Sequence, residues 1–165
     1  MKISHLFEEA LTITPMQMGM TAMQNSDVAL VGGMRSGNSR AGYTRLKYMI
    51  YDLRGVEGQL DDAGWAEADS GIVELFVKDG SGDHTGADIE GLVNIELHPK
   101  KRKSGIGSVV IRALKDTAGE LNIYDIQQKA VPFWRKVGAT FYKDSHFKNV
   151  ATKTTGVKTG LFAKI

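Results

Sequence analysis

The segment Ile95-Glu-Leu-His-Pro-Lys-Lys-Arg-Lys-Ser-Gly-Ile-Gly107 decides how this chain is read. Residues 91–98, ending in it, are rich in strand formers and are stopped by Pro99, which cannot donate to a sheet ladder. Beyond it, Val109, Val110, Ala113 and Leu114 recur at helical spacing and Gly119 supplies a stop, so a helix is predicted over 108–117. The order is strand, two-glycine turn, helix. The first-turn amides of such a helix lack intrahelical acceptors and lie at the positive end of its dipole, where they can hold a phosphate. Gly105 and Gly107 let an anion approach the backbone, and Lys100, Lys101, Arg102 and Lys103 add charge. The spacing is neither a Walker loop nor the three-glycine dinucleotide fingerprint. Taken alone, the segment reads more readily as a glycine-containing turn with a solvated basic run.

Working outward, residues 71–78 read as a strand followed by a glycine- and aspartate-rich connection through Asp88. Residues 121–126 read as a short strand, 127–137 as a helix ending at Gly138, and 140–143 and 160–164 as closing strands. This alternation predicts an α/β fold with helices packed on a mixed sheet. The first 70 residues read as mainly helical. Thr14-Pro15-Met16-Gln17 has capping-box spacing, which predicts a helix to about Asn25 with Met16, Met20 and Met23 on one face. Residues 28–31 fit a short strand and 32–42 a mobile loop. Leu46, Met49, Ile50 and Leu53 fit an amphipathic helix, although Tyr43, Tyr48 and Tyr51 favour a strand.

At 165 residues the chain suits a single domain, and its 42% hydrophobic and 24% charged content is ordinary for a soluble protein. No apolar run approaches the ~20 residues needed to span a bilayer, so no membrane association is expected. Acids arrive by Glu8, unlike a secretion signal, and a cytoplasmic location is the simplest expectation. The absence of cysteine excludes disulfides, thiolate metal sites and thiol nucleophiles. Charge is segregated: residues 51–90 hold eleven acids against two bases, and residues 122–165 eight bases against two acids. Such segregation can steer oppositely charged ligands to different faces.

Arg102-x-x-Gly105-x-Gly107, behind a strand and opening a helix, resembles the signature of the GNAT superfamily of N-acetyltransferases. Gln127-Gln-Lys-Ala130-Val-Pro-Phe133-Trp134-Arg-Lys-Val-Gly138 is similar to that family's Asn-x-x-Ala-x-x-Phe-Tyr-x-x-x-Gly helix. The resemblance covers about residues 91–141. It implies a GNAT-like acyl-CoA N-acyltransferase fold, one domain in which 71–165 bind acetyl-CoA and 1–70 form the acceptor side. Strands 91–98 and 121–126 would splay apart and take acetyl-CoA as co-substrate between them. The Leu97 backbone would pair with the pantetheine arm. Arg102 and the amides of Lys103, Ser104, Gly105, Ile106, Gly107 and Ser108 would hold the pyrophosphate. Gln127 and Trp134 would flank the coenzyme. His5, His84, His98 and His146 lack ligand spacing, and no metal is expected.

Acetyl transfer to an amine requires loss of an amine proton, a donor to the developing oxyanion and a proton for the departing thiolate. The family's acid tyrosine aligns with Trp134, whose indole cannot serve as an acid, and its strand bases align with Gly91 and Val93. Three residues near the splay offer substitutes. Glu96 is a base if a bulge turns it to the side of Val93, Tyr124 an acid, and Asp125 a base or amine anchor. Glu67, Asp69 and Glu74 would attract a cationic acceptor if they line its entrance. The expected activity is acetylation of a primary amine on a small molecule or protein lysine. A catalytically silent GNAT-fold module is the alternative. A nucleic-acid-directed relative, suggested by Lys143, Lys148, Lys153, Lys158 and Lys164, is a further one, but these lysines lack interleaved aromatics. A homodimer remains open.

Overall fold

Asn25 makes the first turn of the described chain, its Oδ1 accepting from the amides of Asp27 (2.8 Å) and Val28 (3.0 Å). Strands β1 (Thr21–Gln24) and β2 (Val28–Arg35) leave that turn as an antiparallel pair. The computed structural model describes residues 21–36, 42–58, 60–79, 89–142 and 161–165. The helix expected to reach Asn25 is corrected over residues 21–24, which are strand; its earlier part lies outside the described residues.

Two further expectations for the first half are overturned. The segment holding Leu46, Met49, Ile50 and Leu53 is strand β3 (Tyr43–Asp52) for all but its last residue, not a helix. Leu46, Tyr48 and Ile50 are buried on one face with only half-buried neighbours between them, which is period two. Residues 32–35 continue β2 rather than opening a loop, with a register shift between Gly32 and Met34; residues 37–41 lie outside the described set. Both faces of β2 are buried because helix α1 (Asp62–Ala68) covers the second one. There Ala29 and Val31 cluster with Tyr51, Leu53 and Trp65. Asp61 caps α1 by accepting from Gly64 N at 2.7 Å. It is the one helix described between residues 21 and 70, so the described part of this half is mainly sheet rather than helix.

The second half follows the sequence closely. It comprises β4 (Asp69–Lys78), β5 (Ile89–Leu97), α2 (Ile106–Ala118), β6 (Asn122–Ile126), α3 (Val131–Lys136), β7 (Thr140–Phe141) and β8 (Leu161–Lys164). Short 3-10 turns at Pro99–Lys101 and Gln128–Ala130 precede α2 and α3. The strands form one eight-stranded sheet in the order β1-β2-β3-β4-β5-β6-β8-β7, antiparallel except for the β5/β6 pair. Helix α2 lays Ile106, Val110, Ile111 and Leu114 over Tyr48, Ile50, Leu75 and Leu92, and Trp134 of α3 completes that core. The architecture is the expected mixed α/β sheet with splayed central strands, because β5 and β6 pair only at Gly91↔Asn122 and Leu92↔Ile123.

On the face away from α2, the buried carboxylate of Glu74 joins three strands and the end of β2. It pairs with Arg45 at 2.8 Å and accepts from Asn94 at 3.2 Å and from the Ser36 hydroxyl. Burial alone would raise its pKa, but the Ser36, Arg45 and Asn94 donors outweigh burial and hold it below the ordinary value. Replacing Glu74 with Ala strands the Arg45 guanidinium and the Asn94 amide. The expected loss, from denaturant unfolding at pH 7, is about 3 kcal/mol. A loss below about 1 kcal/mol would mean that water replaces the carboxylate without penalty.

Candidate functional site

Bulges explain why β5 and β6 part. On β5, Glu74 faces Asn94 and Leu75 faces Leu92, which leaves Val93 unmatched. On β6, Ile123 faces Ala163 and Ile126 faces Leu161, which inserts one extra residue around Asp125, itself at φ 53°. Asp tolerates this left-handed conformation better than most side chains. Beyond the two paired positions the strands diverge around a cleft of about 510 Å³. One wall is β5 from Leu92 to Leu97 with Arg102 and Gly107; the other is the end of β6, Gln127 and α3.

The bulge also sets which groups face the cleft. His98 N donates to Ser70 O at 2.9 Å, so antiparallel alternation turns the backbone groups of Leu97 and Ile95 away from β4 and toward the opening. The Leu97 carbonyl accepts from Arg102 Nε at 3.3 Å. Ile95 and Leu97 pack into the core under α2, whereas Val93 packs with Phe76 and Tyr124 and Asn94 reaches Glu74, both on the opposite face. Glu96 follows Asn94 by two residues. The bulge therefore brings Glu96 to the side of Val93, where plain alternation would separate them.

At the mouth of this cleft, the loop before α2 is held in an unusual conformation. Lys103 lies at φ 65° and Gly105 at φ 88°, and a non-glycine residue there costs about 1–2 kcal/mol. Ser104 Oγ donates to Lys101 O at 2.6 Å and accepts from Ile106 N at 3.4 Å. The first helical bond runs from Val109 N to Gly105 O (3.2 Å). Among the described residues the amides of Gly105, Gly107 and Ser108 have no acceptor, the state of a helix end ready for an anion. A Cβ on Gly107 would sit 3.5 Å from Leu97 and 3.6 Å from Phe133, which is ordinary contact. Packing therefore does not demand glycine at 107.

Of the candidate catalytic groups, Glu96 and Asp125 are exposed and line the cleft. Tyr124 is buried, edge-on to Phe76 and Phe162 at 5.7 and 5.6 Å, and its hydroxyl donates to Glu90 Oε1 at 2.5 Å. The ring lies over Gly91, where a Cβ would come within 2.5 Å of it. Glycine at that strand position makes room for the tyrosine. Trp134 is buried in the core beside Phe133, ring centroids 5.1 Å apart, while Gln127 is exposed at the cleft wall.

The acids expected to draw in a cationic acceptor are mostly engaged. Glu74 is paired with Arg45, Asp69 meets His98 Nε2 at 3.1 Å, and Glu67 is exposed on α1. Of the lysines behind the nucleic-acid alternative, Lys143, Lys148, Lys153 and Lys158 lie outside the described residues, and Lys164 stands 3.9 Å from Glu120. His5, His84 and His146 also lie outside the described residues.

Sequence reasoning missed Glu90. Its Oε1 also accepts from Asn122 at 2.7 Å, Asn122 Oδ1 accepts from the Tyr142 hydroxyl, and Oε2 is buried with no hydrogen-bond partner among the described residues. Burial raises the Glu90 pKa even though the Tyr124 and Asn122 donors act in the opposite direction. It also missed Arg54, which reaches the Ser104 carbonyl from a turn fifty residues earlier. No local pattern marks either residue, since each acts through a partner distant in sequence.

No family model matches the chain, and no curated protein does. Among solved structures, the crystal structure of nourseothricin acetyltransferase is similar, at 15% identity and a TM-score of 0.41. The match covers 73% of this chain and 64% of that one, so the chain spans under two thirds of that protein's length.

The Glu90 environment has a measurable consequence. A folded carboxyl with a raised pKa binds more protons than its unfolded counterpart between the two pKa values, so stability falls as pH rises through that window. Glu90→Gln removes the titration but keeps an acceptor for Tyr124 and Asn122. The stability of the wild type minus that of the variant should fall as pH rises from the ordinary glutamate value of about 4.3, then level off above the raised one. A difference that stays constant from pH 4 to pH 8 would contradict a raised pKa for the buried Glu90.

Proposed function

We propose that this chain is a GNAT-type acyltransferase that uses acetyl-CoA to acetylate a primary amine, on a small molecule or a protein lysine. One observation carries the reading: a cleft between two splayed parallel strands opens beside a helix start where the amides of Gly105, Gly107 and Ser108 have no acceptor among the described residues. Its residues fit the coenzyme. The amides of Gly105, Gly107 and Ser108, with Lys103 and Arg102 beside them, suit a pyrophosphate. The cleft-facing backbone groups of Ile95 and Leu97 suit the amides of a pantetheine arm, in the way that an extended peptide adds to a sheet edge. Gln127 and Phe133 stand on the far wall.

Bound acetyl-CoA would supply the thioester carbonyl that the amine attacks. Glu96 or Asp125 takes the amine proton as the C–N bond forms, directly or through water. The departing sulfur gains a proton as the C–S bond breaks, and Tyr124, whose own proton faces Glu90, is the acid candidate at the β6 end of the cleft. Holding the two reactants in line supplies much of the acceleration. A coenzyme-binding module without transferase activity is the second reading. It is favoured by Trp134 packed in the core and Gly91 covered by the Tyr124 ring, because neither position offers an acid or base.

Acetyl-CoA at ~100 times its Kd should raise the unfolding free energy by about 2.7 kcal/mol, and CoA should act similarly. Absence of any thermal shift would refute the coenzyme reading. With a thiol-release assay over a panel of amines, Glu96→Gln or Asp125→Asn should lower kcat by about 100-fold or more. Binding without thiol release for any amine would favour the silent module.

A further inference from the structure

The loop before α2 does not hold its shape alone. Arg54, in the turn after β3, crosses to it and donates from Nη1 to the carbonyl of Ser104 at 3.1 Å. The guanidinium lies against Gly105, where a Cβ would stand 3.3 Å from Nη1. Arg54 is itself fixed: Nε donates to Asp52 Oδ1 at 2.9 Å and Nη2 to Asp52 Oδ2 at 2.8 Å. The Arg54 backbone amide also donates to Asp52 Oδ1 at 3.1 Å, so one carboxylate sets both the turn and the fork. Leu53 N–H, bonded to Asp27 O at 2.8 Å, ties the same turn to the β1–β2 hairpin.

We propose that Arg54 is a positioning residue for the phosphate loop, with Asp52 and Arg54 acting as a clamp that holds Lys103, Ser104 and Gly105 in the conformation that presents the α2 amides to a coenzyme pyrophosphate. This rests on the coenzyme reading of the cleft. An external hold suits the loop because Lys103, not a glycine, sits at positive φ, and the bonds from Ser104 N to Lys101 O and from Ile106 N to Ser104 Oγ are long, at 3.4 Å each. A guanidinium suits this role, because its planar fork grips a carboxylate with one edge and leaves Nη1 for a carbonyl on the other side. Three of its five N–H donors are engaged in this way. Arg54 also adds positive charge beside a site already rich in lysine.

The clamp separates ligands by whether they carry phosphate. Binding of CoA and of S-acetylpantetheine, which lacks the nucleotide and pyrophosphate, should be measured by calorimetry for wild type, Arg54→Ala, Arg54→Lys and Asp52→Asn. Arg54→Ala should weaken CoA binding about tenfold or more and leave S-acetylpantetheine within about twofold. Arg54→Lys should restore CoA only in part, because an ammonium cannot grip Asp52 and Ser104 as the fork does. Asp52→Asn should weaken CoA in the same direction as Arg54→Ala. In the ligand-free protein, both alanine and asparagine variants should speed hydrogen exchange of the bonded amides of Ser104, Ile106 and Val109 while the melting of the whole fold changes little.

Unchanged CoA affinity in Arg54→Ala would overturn the proposal, and so would equal losses for CoA and S-acetylpantetheine. CoA binding that is kept or tightened in Asp52→Asn but lost in Arg54→Ala would also overturn it, since the arginine would then act as a direct phosphate contact. Failure of the wild type to bind CoA would bring down the coenzyme reading and the clamp together. Equal binding by wild type and Arg54→Ala brings down the clamp alone.

Discussion

A strand in the middle of a sheet normally satisfies its backbone on both sides, and β5 does so for only part of its length. Among the described residues it has no partner on the β6 side after Gly91 and Leu92, although both strands continue. Buried backbone groups rarely go unpaired, so such an opening persists only where water or a ligand completes the bonding. The bulge at Val93 and the left-handed Asp125 on the partner strand create the opening together. The rest follows from it. The cleft, the exposure of Ile95 and Leu97 backbone groups, and the turning of Glu96 to the side of Val93 are all consequences of two strands that separate.

The face away from α2 and α3 carries two glutamates in contrasting states. Glu74 receives a guanidinium, an amide and a hydroxyl, and stays ionised despite its burial. Glu90 receives only a phenol and an amide, and these neutral donors do not offset burial. Glu74 therefore fastens the outer strands to β5, while Glu90 sits beside the point of divergence with its carboxyl biased toward the neutral form. Gly91 links the second arrangement to the fold, since a larger residue there would push the Tyr124 ring away from Glu90. The residue that removes a base from its expected strand position thus makes room for a tyrosine.

The second half of the fold was legible because its signals are local. The apolar face of α2, the glycine stop at 119 and the strand-forming runs on either side each lie within a dozen residues. The first half misled because Leu46, Met49, Ile50 and Leu53 satisfy helical spacing by coincidence, while burial at Leu46, Tyr48 and Ile50 obeys period two. α1 on the opposite side of the sheet completes the second cover, and no pattern within β3 announces that. The candidate site divides similarly. The loop 102–108 could be read as a unit, but Glu90 meets Tyr124 from 34 residues away and Arg54 meets Ser104 from 50. Contacts of that range come from the packing of the sheet, not from spacing in the chain.

The proposed coenzyme site joins the opening between β5 and β6 and the amides beside it into one binding surface. An amide-resolved NMR titration of the nitrogen-15-labelled chain with CoA tests it most directly. The largest shifts are expected at residues 93–97 of β5, at 103–108 of the loop and α2, and on the wall from Gln127 to Trp134. Little change is expected in the β1–β2 hairpin. Shifts confined to the loop would mean that the anion site works without the cleft. Shifts concentrated elsewhere, or none at saturating CoA, would contradict a coenzyme site between β5 and β6.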